Sequence, residues 1–474
     1  MKGKKSRNDH PRRGAVFCIK VLLFFTLFLL FFGLFAPGFP QVFGFTRTAA
    51  ITMTTFIVLG ISMTAVYGGF AVGKRKSKEI IPSLSIAVFI TDAVTFFQLY
   101  IMSASRWPHA EMIWLNLMIL LCVFILQVAS VIGFVYFGNY VYFKLNPPQR
   151  CIIVCDASSD PQQLIQCVSR YRKQYKIDKV LTWNDPNLKK QIRKTDVVFL
   201  YDLPAAERPT IIEYAYKHYT NLFVQSDISE ILLNTAKFEM FDDMAMLHLP
   251  ITNLSMEQRF FKRMLDLLVS GIGTIVLSPV MLLIALAIKL DDHGPVFFTQ
   301  PRATRNGEVF KVLKFRTMKV HDPSVEYSAT TDDDRITRVG KYLRKFRLDE
   351  IPQILNILHG EMSLVGPRPE MLQNIEKYTE DLPEFRYRLR VKAGLTGLAQ
   401  VNGRYNTSAK DKLVLDLMYI ERYSFWQDIV LLLRTVIVFF KSEESTQGFD
   451  APKKKPDMTI VKHEEQTSET QVNH

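Results

Sequence analysis

Four long apolar runs, at residues 15–36, 48–72, 80–102 and 112–143, fill the first third of the chain and constrain its fold more than any other feature. Each reaches the ~20 residues that a helix needs to cross about 30 Å of hydrocarbon. The remainder is charged enough to stay in water. The sequence therefore predicts a membrane protein with a large soluble part, and excludes a simple cytosolic enzyme, a secreted disulfide scaffold and a disordered chain. The basic stretch before the first run suggests a signal peptide, but the apolar core is too long and lacks a small-residue cleavage site, so an anchor is expected. Arg47 alone marks the first loop and Arg106 the third, whereas the second carries Lys74, Arg75, Lys76 and Lys78. The positive-inside rule then places both ends of a four-helix bundle in the cytoplasm. Asp92, beside Thr91 in the third run, is read as a protonated or hydrogen-bonded carboxyl inside the bundle, with a functional role in lipid handling or helix pairing as the alternative.

With 59 Lys+Arg against 46 Asp+Glu, the chain has a formal charge of +13. Such a balance suits basic loops beside anionic lipid, or a phosphorylated ligand. No nucleic-acid partner is expected, since zinc-finger, RNA-platform and basic-zipper patterns are absent from the sequence. The five cysteines show no zinc spacing, and their odd number points to reduced thiols.

After the bundle the pattern changes. Strand-like stretches at 151–155, 179–183, 196–201 and 221–224 alternate with helical ones at 162–175 and 210–219. This alternation predicts a Rossmann-like, doubly wound α/β domain over residues 147–255. Its first turn, Cys155-Asp156-Ala157-Ser158-Ser159-Asp160, has no glycine for close phosphate approach, so a vestigial, structural or regulatory domain is expected. A fifth apolar run, 262–290, opens with Lys262-Arg263-Met264-Leu265-Asp266 and contains Ser278-Pro279. Proline removes a helical hydrogen bond, so a break at Ser278 and Pro279 is expected, bending a re-entrant helix back to one leaflet. A kinked full span is the alternative.

The chemistry-bearing residues follow. Phe310-Lys311-Val312-Leu313-Lys314-Phe315-Arg316-Thr317-Met318 reads as a strand with one basic face. Leu343-Arg344-Lys345-Phe346-Arg347-Leu348-Asp349-Glu350-Ile351-Pro352-Gln353 opens a helix whose expected apolar face is Leu348, Ile351, Leu355 and Leu358. Pro352 suits a first helical turn, which puts Asp349 and Glu350 at the N-terminus, as a cap or beside phosphate. Ser363-Leu364-Val365-Gly366-Pro367-Arg368-Pro369-Glu370 comes next, then Gly394-Leu395-Thr396-Gly397-Leu398-Ala399-Gln400-Val401-Asn402-Gly403-Arg404. Asp416-Leu417-Met418-Tyr419 and Ser424-Phe425-Trp426-Gln427-Asp428 close the series.

Taken in this order, over residues 259–440, these motifs resemble the bacterial sugar transferase family, the polyprenyl-phosphate hexose-1-phosphate transferases. The bundle and middle domain resemble its long form. The resemblance implies transfer of a hexose 1-phosphate, glucose or galactose first, from a UDP-hexose to undecaprenyl phosphate at the bacterial inner membrane, with UMP released. It implies a start to capsule, exopolysaccharide or O-antigen assembly, Asp349 as nucleophile of a covalent intermediate, and Mg²⁺ as cofactor. It also implies a monotopic catalytic domain, here 256–441, held on the lipid bilayer by the re-entrant helix. Within this frame Glu350 is expected to hold Mg²⁺ or assist Asp349. Arg368, stiffened between two prolines, suits a phosphate fork, with Lys314, Arg316 and Arg344 as further phosphate ligands. Gln400, Asn402 and Arg404 are expected to read uridine or the sugar. Asp416 is the expected extra acidic partner of the metal, with Asp428 behind it. Residues 442–474 read as a disordered tail, and a homodimer is expected. Two alternatives stand: a metal-dependent glycosyltransferase using Asp332-Asp333-Asp334 and releasing UDP, and a non-catalytic scaffold of polysaccharide assembly.

Overall fold

A computed structural model of the chain describes residues 10–35, 39, 42, 44–103, 110–249, 254–319, 336–403 and 408–440. Asp332, Asp333, Asp334, Arg404 and the 442–474 tail lie outside the described residues. The chain divides into two compact units, one holding residues up to Thr64 with Gly68–Gln225, the other Ala65–Tyr67 with residues from Ser226 onward.

In the first unit the apolar runs become α1 (His10–Leu30), α2 (Arg47–Val66), α3 (Ser77–Ser103) and α4 (Ala110–Leu145). All are long and apolar enough to cross a membrane, and this is a membrane protein. Large side chains such as Phe25, Leu29, Phe97 and Leu121 remain exposed on the outside of the helices, as lipid-facing positions require. Inside, Leu23, Leu84, Val131 and Val135 pack one core layer and Phe31, Phe35, Phe56 and Leu99 another. Buried hydroxyls satisfy themselves on their own helix: Thr91 Oγ1 donates to Ala87 O and Thr95 Oγ1 to Thr91 O. Asp92, 2% exposed, accepts from Gln127 Nε2 at 3.4 Å, and the same amide group reaches Leu27 O. The carboxyl thus ties α3 to α4 and, through Gln127, to α1, as a hydrogen-bonded Asp inside the bundle.

The same unit continues as β1 (Gln149–Cys155), α5 (Gln162–Ser169), β2 (Tyr175–Thr182), α6 (Leu188–Lys194), β3 (Val197–Tyr201), α7 (Arg208–Lys217) and β4 (Asn221–Val224). The strands form a parallel sheet of order β2-β1-β3-β4. Alternate residues of β1 point to opposite faces. Ile152 and Val154 pack against Leu188, Ile192 and Ile211, whereas Cys151 and Ile153 pack against Ile165 and Val168. Helices therefore cover both faces. Beyond β1, Asp156 accepts from Trp183 Nε1 and Ser159 donates to Asp202, so polar side chains fill the turn that lacks glycine.

The second unit begins some thirty residues before the boundary read at 255/256. Its first element, α8 (Ile228–Leu233), places Ile231 in this unit's core, and Asp227 pairs with Lys410 at 2.7 Å. The antiparallel hairpin β5 (Lys237–Phe241) and β6 (Met244–His248) follows, then α9 (Met256–Asp292). Ser255 caps α9 reciprocally with Gln258. Pro279 lies inside α9, which is one helical segment from Met256 to Asp292. Proline at 279 leaves the Ile275 carbonyl without its usual donor, and Ser278 Oγ donates to that same oxygen at 2.8 Å. The Ser-Pro pair repairs the bond it removes.

Beyond α9 lie the hairpin β7 (Phe297–Ala303) and β8 (Val309–Phe315), α10 (Arg338–Lys345), α11 (Gln353–His359), β9 (Ser363–Val365) and α12 (Leu372–Asp381). Then come β10 (Gly394–Thr396), α13 (Leu398–Asn402), α14 (Ala409–Glu421) and α15 (Phe425–Phe440). The core joins Val312, Ile357, Leu364, Phe385, Leu413 and Leu417, while Ile284, Ile288, Phe315 and Leu343 form a second cluster on the C-terminal half of α9. On α11 the fully buried apolar pair is Ile354 and Ile357, with Leu355 and Leu358 half-buried. The expected face is thus shifted by one residue, because α11 starts only at Gln353.

Parallel β9 and β10 approach so closely that a Cβ on Gly394 would overlap the backbone of Gly366 and Thr396. Gly394→Ala is expected to cost about 1–3 kcal/mol through overpacking, read as a lowered melting temperature of the detergent-solubilised protein.

Candidate active site

The site is built around a 3₁₀ turn, Leu348–Glu350, that precedes α11. Arg347 enters it with φ 53° and ψ 24°, a left-handed conformation that a non-glycine residue adopts only under constraint. Pro352 caps α11, as its fixed φ favours. Leu348 and Ile351 anchor the turn against the cluster on α9. Asp349 and Glu350 are left facing the loop that follows β9.

Glu350 Oε1 receives Arg368 Nη2 at 2.6 Å and Lys314 Nζ at 3.1 Å. Burial pushes this carboxyl's pKa up, but the Arg368 and Lys314 charges pull harder and hold it well below the ordinary carboxylate range. Its neighbour moves the other way. Burial and the adjacent Glu350 charge raise the Asp349 pKa, against the smaller opposing pull of Lys314 and Arg344. Two adjacent carboxyls in one setting are thus driven apart, one a fixed anion and the other a more basic oxygen, the usual mark of divided roles. Arg368 keeps 41% of its side chain exposed, so its fork can meet a second anion. Arg344 donates from Nε to Thr317 Oγ1 at 2.9 Å, and its charge acts to lower the Asp349 pKa.

Several sequence-read residues are placed elsewhere. Arg316 is buried, gives two hydrogen bonds to Asp292 and one to Pro295 O, and so closes the end of α9 instead of offering donors to phosphate. Lys311 is exposed and Lys314 half-buried on opposite sides of β8, so the basic face reduces to Lys314. Asp416, 1% exposed, has its Oδ2 held by Arg388 at 2.8 Å and so is engaged in a buried ion pair. Asp428 pairs with Lys262 at 2.7 Å. Gln400 donates from Nε2 to Leu395 O, while its buried Oε1 has no donor among the described residues; Asn402 is exposed at the end of α13.

Arg388 was not singled out from the sequence. Its guanidinium, 3% exposed, holds Asp416, lies 3.7 Å from Glu370, donates to the Arg368 carbonyl at 2.9 Å and stacks on Phe385. Phe385 and Arg388 are three residues apart in a 3₁₀ segment, so they share a face, and that spacing was the available signal. Lys412 gives Glu370 a second cation at 3.3 Å.

A metal would not be caged by protein alone here. Among the described residues no three His, Cys, Asp or Glu side chains come together to hold one. The adjacent carboxylates of Asp349 and Glu350 do fit Mg²⁺, which takes one or two carboxylates and completes its shell with substrate phosphate and water. A reactive carboxylate, an ionised partner and the cations Lys314, Arg344 and Arg368 define a site suited to transfer of a phosphate ester.

Comparison with known proteins agrees. The profile of the bacterial sugar transferase family matches residues 257–442, the segment that contains every group just described. A UDP-glucose:undecaprenyl-phosphate glucose-1-phosphate transferase of Caulobacter vibrioides is 41% identical over 193 residues, 40% of this chain and 72% of that protein. The enzyme of the same name from Escherichia coli K12 is 42% identical over 195 residues, 40% of this chain and 42% of its own length. A UDP-N-acetylgalactosamine-undecaprenyl-phosphate N-acetylgalactosaminephosphotransferase of Aeromonas hydrophila is 39% identical over 181 residues, 37% of this chain and 43% of that protein. The matched segment thus spans less than half of the last two relatives. This chain belongs to the bacterial sugar transferase family, and it is a sugar phosphotransferase.

Removing the Arg388 charge would strand the buried Asp416 carboxylate and leave Glu370 with Lys412 alone. Arg388→Met is expected to cost about 3–5 kcal/mol, and Arg388→Met/Asp416→Leu to recover part of it, both read as melting temperatures.

Proposed function

We propose that the protein moves a hexose 1-phosphate, glucose first and galactose second, from a UDP-hexose to undecaprenyl phosphate, initiating a cell-surface polysaccharide. The observation that carries this reading is the divided pair: Asp349 made more basic beside a Glu350 that Arg368 and Lys314 keep ionised. The glucose preference is supported by the names of the Caulobacter and Escherichia relatives.

In the proposed reaction an Asp349 carboxylate oxygen attacks the sugar-bearing β-phosphorus. The bond from that phosphorus to the bridging oxygen breaks, UMP departs with the electron pair, and an aspartyl-phosphosugar remains. An oxygen of the lipid phosphate then attacks the same phosphorus and the bond to Asp349 breaks, restoring the carboxylate. A carboxylate nucleophile divides one difficult displacement into two. Both steps bring anions together, and Lys314, Arg344 and Arg368 offset that repulsion. Mg²⁺ held by Asp349 and Glu350 would supply further neutralisation of the diphosphate. Gln400 Oε1, buried and without a donor among the described residues, would accept an N–H or O–H of the UDP-hexose. The lysine- and arginine-rich loop at Lys74, Arg75, Lys76 and Lys78 supports a cytoplasmic site on the inner membrane. We read α9 as re-entrant, which would keep the site at headgroup depth.

Given UDP-glucose, undecaprenyl phosphate and Mg²⁺, the protein is expected to release UMP and form a lipid-linked diphosphate sugar. Release of UDP would refute the reading. Asp349→Asn should lower turnover by about 10⁴-fold or more.

Attack requires ionised Asp349, so kcat/KM should fall as pH drops through its raised pKa. Lys314→Met deletes a cation that lowers that pKa and should move the acid limb to higher pH. Glu350→Gln deletes the anion that raises it and should move the limb the other way.

A further inference from the structure

Helix α9 is apolar for most of its length, yet its first turns carry Lys262, Arg263 and Asp266. Flanking charges of this kind ordinarily reach for water or lipid headgroups. These do not. Lys262 is 7% exposed, and its Nζ donates to Val365 O at 2.8 Å, to Asp428 Oδ2 at 2.7 Å and to the Tyr419 hydroxyl at 3.1 Å. Asp266, one helical turn on, is 4% exposed and accepts from Leu364 N at 2.8 Å and from Ser363 Oγ at 3.0 Å. The two side chains therefore hold all three residues of β9, Leu364 and Val365 by backbone and Ser363 by its hydroxyl, immediately before Gly366-Pro367-Arg368. Arg263 takes hold of the other arm. Its Nη1 donates to Ile357 O at 2.7 Å and its Nη2 to Leu358 O at 2.8 Å, closing the C-terminal end of α11, whose opposite end carries Asp349 and Glu350.

Both partners of the Arg368–Glu350 contact are thus referred to one short stretch of α9. We propose that Lys262, Arg263 and Asp266 are positioning residues, which set the separation between the Asp349–Glu350 turn and Arg368 through β9 and α11. The helix that enters the lipid is then also the gauge of the reacting geometry. None of the three touches substrate. The inference rests on the transferase reading above, and three features separate it from ordinary packing: each of the three side chains bonds to backbone, they serve two different arms, and one arm leads into Arg368 while the other carries the Asp349–Glu350 turn at its opposite end.

The test is UMP release by the full-length protein in lipid nanodiscs, with UDP-glucose, undecaprenyl phosphate and Mg²⁺. Asp266→Ala is expected to lower kcat about ten- to a hundredfold, the scale of a small misplacement of reacting groups, with little change in KM. Asp266→Asn, which keeps an acceptor oxygen, should restore most of the loss. The deciding measurement is a double-mutant cycle: in an Arg368→Lys background, Asp266→Ala should cost little more, because its effect passes through Arg368. A merely structural role would cost the same factor in both backgrounds. Should Asp266→Ala not fold, the cycle of half-buried Arg263→Gln against Glu350→Gln decides in the same way, with Arg263→Lys as the conservative control. Full kcat in Asp266→Ala, or equal losses with and without the second substitution, would overturn the proposal. Absence of UMP from the unsubstituted protein with any UDP-hexose would overturn the transferase reading, and this one with it.

Discussion

A carboxylate shared between two cations holds the catalytic unit in register. Glu350 lies on the turn before α11, Lys314 at the end of β8 and Arg368 on the loop after β9. These stretches have no local reason to meet, and a buried charge is tolerated only where it is paired. The pairing therefore stabilises the approach of all three elements. It also leaves a fixed negative charge next to Asp349, which adds to the larger effect of burial in raising that carboxyl's pKa.

Helix α9 is the second organising element. Its C-terminal half carries Ile284 and Ile288, against which the turn with Asp349 is seated. Its N-terminal turns hold the backbone on either side of the site. In between, Ser278 restores the hydrogen bond that Pro279 cannot make, so the helix stays continuous through its proline. A long apolar helix with a polar stripe on one face can serve lipid and protein together, because buried backbone carbonyls need donors whatever the surrounding solvent.

Much of this was legible in the chain. Length and apolarity of the four runs leave helices as the only economical solution, since each backbone group must be satisfied within its own segment. Strand–helix alternation after residue 149 gave the parallel sheet, because buried strands read as short continuous apolar runs. Arg368 stood out because two prolines stiffen its loop, and Asp349 and Glu350 because they fall in a series of motifs that resembles the sugar transferase family. Their roles as basic oxygen and fixed anion did not.

The remainder was decided by tertiary structure. Lys262 read as a flanking charge, and its partner Asp428 lies 166 residues away. Asp416 read as a metal ligand until Arg388 was seen beside it, 28 residues earlier in the chain. Arg316 read as a phosphate ligand, and Asp292 claims it. Each is a charged residue whose meaning depends on its partner. Local pattern determines which segments form helices or strands and which face of each is apolar, because those follow from backbone periodicity. Whether a charge serves chemistry or architecture depends on what long-range folding places within about 3 Å of it, and only the assembled structure settles that.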